Sequence, residues 1–93
     1  MITGSGAEAW KIGEVTRYLM EECPDGEVLY HPEPDHIADQ FRIVSQHAVL
    51  HAVLVRRIFF DRYDAAWKLQ AALREGSVAA KMRRAGPTGI ELN

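Results

Sequence analysis

His47 and His51 stand four residues apart. On a helix that spacing sets both imidazoles on one face, where they can share a metal ion. His31, His36 and a carboxylate are the further ligands the chain offers. His36 would lie about three turns away along the same helix, out of reach unless a second subunit supplied it. The stretch His47-Ala48-Val49-Leu50-His51 also lacks the glutamate that zinc hydrolases carry between their histidines. We therefore expect no metal and no cofactor, with His47 and His51 as the only candidates and both hydrogen-bonded inside a helix interface.

Nucleophilic chemistry would fall to Cys23, Ser45 or Ser77, and none sits in a glycine elbow that would expose and activate it. Cys23 closes the first helix beside Glu21 and Glu22, where the helix dipole and both carboxylates disfavour a thiolate. Glu21 and Glu22 themselves point to different helix faces and cannot converge for acid–base work. Neither Gly4-Ser5-Gly6 nor Gly86-Pro87-Thr88-Gly89 has the lysine and following helix of a phosphate loop. A chain of 93 residues also has little room for an enzyme-sized pocket. The expectation is a protein that is not an enzyme.

Binding chemistry is better represented. Arg56, Arg57, Arg62, Lys81, Arg83 and Arg84 are candidate nucleic-acid contacts. Residues 35–57 invite comparison with a helix-turn-helix, with Ser45-Gln46-His47 opening the recognition helix and a basic wing at Lys81 to Arg84. The tight turn of such a motif favours glycine, whereas Arg42-Ile43-Val44 fills it with two β-branched residues that resist positive φ. One continuous helix fits the segment better. Phe59, Tyr63 and Trp67 form an i, i+4, i+8 ladder, with Tyr30 and Phe60 as further aromatics; beside Arg56, Arg57 and Arg62 such a ladder can stack on single-stranded nucleic acid, or build a core or subunit interface.

The elements that must position these residues follow from periodicity and punctuation. Residues 1–5 read as a flexible tail and 6–93 as a single small domain, since this length supports only one core. Ser5 and Glu8 form a capping box for a helix over 6–22 whose inward stripe is Trp10, Ile12, Val15, Tyr18 and Leu19. Cys23-Pro24-Asp25-Gly26 ends it. Glu27 to His31, fenced by Gly26 and Pro32, is a strand at a sheet edge.

From His36 to Glu75 there is no glycine or proline, and the apolar residues step mostly by three or four. The reading is two helices, about 35–60 and 63–75, broken near Asp61 to Asp64, with Asp61 or Asp64 capping the second and Gly76 closing it in the left-handed conformation. Over Ala48 to Phe60 the apolar residues surround the helix, so it must be central or buried by a second subunit. Leu50, Leu54, Ile58, Phe59 and Phe60 are the expected dimer interface. Residues 77–86 carry helix signals and strand alternation side by side; a β-hairpin is preferred because Ile90, Leu92 and the strand at 27–31 need a sheet.

The fold class expected is thus α+β, mainly α, running helix–strand–helix–helix–β-hairpin with a small antiparallel sheet, in part winged-helix-like. The net charge of -2 divides unevenly: nine acidic against three basic residues up to Val55, four against eight from Arg56 onward. Such a division suggests a nucleic-acid surface, self-association, or halves that the fold brings together. No apolar run reaches the ~20 residues of a membrane span, no leader segment is expected, and one cysteine allows no intrachain disulfide. The function expected is a small cytoplasmic binding or regulatory protein of bacterial or phage type, acting on a protein partner or as a homodimer. The alternative is a DNA-binding regulator using 35–57 and the basic C-terminal half.

Overall fold

The computed structural model describes residues 8–93, His36 by its backbone alone. The tail expected over 1–5 and the Ser5 half of the capping box lie outside the described residues. The order is α1 (Ala9–Glu22), β1 (Glu27–Glu33), a 3-10 turn (Pro34–His36), β2 (Ala38–Ser45), β3 (Ala48–Arg56), α2 (Arg57–Phe60), α3 (Ala66–Glu75), α4 (Val78–Ala85), a 3-10 turn (Gly86–Thr88) and β4 (Ile90–Leu92). The four strands form one mixed sheet in the order β1-β2-β3-β4, antiparallel except for the parallel β3–β4 pair.

The chain is α+β, but the arrangement expected from sequence is overturned. The helix, or helix-turn-helix, placed over 35–60 is instead the β2–β3 hairpin, of which only Arg57–Phe60 is α-helical. The hairpin turns through Gln46 and His47, both at positive φ (49° and 68°), the geometry of a two-residue primed turn that normally carries Asn-Gly. A register shift between Ile43 and Val44 leaves Leu50 as the extra residue of a β-bulge. The apolar girdle that suggested an all-round helix belongs to an interior strand, which carries apolar side chains on both faces.

The segment 77–86 is the other correction. It is α4, with Val78, Ala79 and Met82 buried, a helical rather than alternating set. A parallel strand needs a long crossover from β3, and α2, α3 and α4 supply it, so Ile90 and Leu92 find their sheet without a hairpin. Nothing winged-helix-like remains. At the end of α3, Gly76 has an ordinary φ of -78° and Ser77 takes the left-handed conformation instead. Ala65 rather than either aspartate is the N-cap of α3, and Asp64 pairs with Lys68 at 2.9 Å.

One core joins all the layers. Val15, Tyr18 and Leu19 of α1 meet Phe41 and Ile43, Val53 and Val55, Phe59 and Phe60, Leu69 and Leu73, and Val78, Ala79 and Met82. On α1, Trp10, expected in the inward stripe, is exposed, and Lys11 is buried beside it. The Lys11 ammonium donates to the Phe60 carbonyl at 2.9 Å, capping α2 from across the core. Tyr18 accepts a hydrogen bond from the Ala79 amide at 3.0 Å, satisfying a first-turn donor of α4 that Ser77 does not cap.

Candidate binding surface

The buried side chains of α1, α2, α3 and α4 pack on one face of the sheet. Register and alternation put Tyr30, Asp39, Phe41, Val53, Val55, Ile90 and Leu92 on the covered face. The opposite face is laid out in cross-strand rows: Leu29, Arg42 and Ala52; then His31, Gln40, Leu54 and Glu91; then Glu33, Ala38 and Arg56. Ala38 and Ala52 are buried on this face, Ala52 beneath Gly89.

A recess of about 380 Å³ is lined by Glu33, Gln40, Leu54, Thr88, Gly89, Ile90 and Glu91. Gly89 makes its rim: φ is 82°, and an added Cβ would stand 3.0 Å from the Ala52 carbonyl oxygen, so only glycine lets the chain drop into β4 here. The Gln40 side-chain oxygen is buried and takes no hydrogen bond from the described residues. Arg56 donates to Glu91, and His31 lies 3.3 Å from Glu33.

The six basic residues singled out from sequence are spread over β3, α2, the turn after α2, and α4. Arg56 lies on the open face with Glu91, while Arg57, at the start of α2, donates to Asp39 at 3.1 Å. Arg62 is exposed in the turn after α2, and Arg83 donates to the Glu22 carbonyl at 2.9 Å. Lys81 and Arg84 are exposed on α4. With β2 and β3 occupying 35–57, that segment presents no recognition helix.

The expected dimer residues also separate. Phe59 and Phe60 are inside the protein's own core and Leu50 packs against it. Leu54 lines the recess, and Ile58 is 59% exposed. The aromatic ladder is broken: Phe59 and Tyr63 have ring centroids 5.2 Å apart, whereas Trp67 is 69% exposed. His47 sits in the hairpin turn and His51 in β3, about 13 Å apart along an extended chain, so they cannot share an ion bound at about 2 Å. Among the described residues no group of three or more His, Cys, Asp or Glu is placed to hold a metal.

Cys23 is buried, and that burial pushes its thiol pKa up, away from a reactive thiolate. Ser45 ends β2 and Ser77 precedes α4. Among the described residues no helix is long and apolar enough to cross a membrane.

No family model, curated protein or solved structure matches the chain. Its surface therefore has to be read from its own geometry. The features that matter most there, Leu29, Gln40 and Glu91, were not singled out from sequence. Strand alternation across 27–31 was the available signal for Leu29. Gln40 and Glu91 lie 51 positions apart and meet only through sheet pairing.

Proposed function

We propose that the chain is a non-enzymatic binding protein that acts through a protein–protein surface and pairs with a second copy of itself along the outer edge of β1. The observation that carries this reading is the edge itself. Among the described residues β1 is an outer strand of the sheet, and Leu29 stands 46% exposed along it.

The side chains are ordered for self-pairing. An antiparallel two-fold with Leu29 on its axis sets Leu29 against Leu29, Val28 against Tyr30, and Glu27 against His31 of the partner. Isologous contacts of this kind are the commonest way small proteins oligomerise, and cross-strand apolar pairs favour one register over its neighbours. Pro32, which has no N–H to donate, ends the stretch and keeps the contact to about five residues. The product is a continuous eight-stranded sheet with two open faces side by side.

Absence of catalysis is part of the proposal and is supported by Cys23, whose thiol is enclosed and shifted away from its reactive form. A regulatory role in a reducing, cytoplasmic setting suits a chain whose single thiol is free and buried.

Sedimentation over a range of concentrations tests the pairing. The expected result is a monomer–dimer equilibrium that Leu29→Lys abolishes and Ile58→Lys leaves alone, both variants melting as the parent does. A strictly monomeric profile at high concentration, or a dimer indifferent to Leu29→Lys, overturns the proposal.

A further inference from the structure

Leu29 on β1 is flanked by unlike groups. Alternation along the strand sets Glu27, Leu29, His31 and Glu33 on the open face, and the exposed His31 imidazole stands 3.3 Å from the Glu33 carboxylate. Resting on the β1 pairing proposed above, we infer that this pairing is proton-dependent and tightens as His31 takes up charge.

The antiparallel two-fold on Leu29 sets Glu27 against His31 of the second copy, with Glu33 of that copy two residues farther along the same face. Each end of the contact then holds carboxylates from both copies with one imidazole among them. Asp25, exposed in the turn before β1, adds a further acid at the same end. The other neighbours of His31 keep one charge state near neutral pH. Gln40 stands opposite it on β2 and is uncharged, and Arg42, diagonal to it, carries a fixed positive charge. Asp35 follows in the turn after β1, and Glu91, farther along the same cross-strand row, is held by Arg56.

A neutral His31 leaves Glu27 of one copy and Glu33 of the other facing across the contact with no charge between them, and that like-charge repulsion opposes pairing. A protonated His31 lies between opposite charges, of which Glu27 is supplied only by the second copy. Attraction that exists only in the dimer makes protonation favour pairing, and pairing favours protonation to the same degree. Histidine is the side chain that changes charge between about pH 5 and 8, a window in which ordinary carboxylates stay ionised. Each dimer has two such ends, both open to solvent and screened, so the combined effect is about fivefold in the dissociation constant.

Sedimentation equilibrium of the whole chain at about pH 7.5 and about pH 5.5 tests this. The dimer dissociation constant is expected to fall about fivefold toward acid at ~0.1 M salt and by less than about twofold at ~1 M, where charges are screened within about 3 Å. His31→Gln, a polar replacement at an exposed position, is expected to pair with the same dissociation constant at both pH values, and Glu27→Gln to show a smaller gain in acid than the parent. A merely structural His31 would leave the pH profile unmoved. A dimer whose dissociation constant is the same at both pH values, or a His31→Gln variant that keeps the parent's pH dependence, overturns this inference and leaves the pairing standing. A chain strictly monomeric at both pH values overturns the two together.

Discussion

Asp39 is fully enclosed on the covered face of β2, where Tyr30 and Arg57 are among the groups that stabilise its carboxylate. The Tyr30 hydroxyl donates to one carboxylate oxygen at 2.5 Å and the Arg57 guanidinium to the other at 3.1 Å. The three side chains tie β1 to β2 and β2 to the start of α2. Removing the carboxylate takes an ionic partner from an arginine whose side chain is only 20% exposed and the acceptor from the Tyr30 hydroxyl, so Asp39→Ala is expected to cost about 2–3 kcal/mol in urea unfolding, and Tyr30→Phe about 1 kcal/mol. The tyrosine also sets a pH signature. Burial, and then the hydrogen bond to and charge of Asp39, raise its pKa well above the ordinary value of about 10. The folded state therefore keeps a proton that the unfolded chain gives up. The Tyr30 contribution is complete below pH ~10 and is lost progressively as pH rises from there toward the folded value. Stability curves of the parent and Tyr30→Phe should accordingly run parallel at neutral pH and close on one another above pH ~10. Curves that stay parallel through the alkaline range would contradict this account.

At the scale of elements, the β2–β3 hairpin decides the architecture and was the least legible part. Gln46 and His47 both adopt positive φ, a conformation that costs residues with a Cβ about 1–2 kcal/mol each. The sequence therefore carries no Asn-Gly to announce a hairpin. Its interior strands erase the other signal, because Ala52 and Leu54 on the open side follow the same run as Val53 and Val55 on the covered side. Apolar residues spaced by three and four then imitate a helix. The β-branched content of Ile43, Val44, Val49, Val53 and Val55 was the evidence for strand, and without a visible turn it was outweighed. Replacing Gln46-His47 by Asn-Gly should raise stability by about 1–2 kcal/mol with an unchanged denaturant slope. A loss of stability would show that the turn has another geometry. α4 misled in the opposite sense: its Val78, Ala80 and Met82 alternate like a strand, yet the buried set is Val78, Ala79 and Met82. By contrast α1 and β1 were legible, since their periodicity is bounded by Cys23-Pro24-Asp25-Gly26 on one side and Pro32 on the other.

Across the whole molecule, the divided charge resolves into contacts between the halves. Arg74 meets Glu21 at 3.2 Å, Arg57 meets Asp39, and Arg83 reaches the end of α1. Two ion pairs thus join the acidic and basic halves within one chain. Because Arg74 and Glu21 are each about half exposed, water screens them, and Glu21→Gln should move the unfolding free energy by less than about 0.5 kcal/mol. A larger loss would mean the pair belongs to a cooperative network. Glu14 is different in kind: hydrogen bonds from Arg17, then from Gln70, hold its carboxyl below the usual range, and Gln70 spans α1 and α3. The sequence by itself determined the size of the core, the absence of an intrachain disulfide, the first helix, the edge strand and the unequal charge of the halves. Those properties depend on composition, or on residues that are neighbours in the chain. The tertiary structure alone decided that 38–56 is a hairpin, that β4 joins β3 in parallel, and that Gln40, Leu54 and Glu91 share a recess. Strand pairing joins distant residues, and whether an apolar run becomes helix or interior strand depends on what covers its second face, which no local pattern encodes.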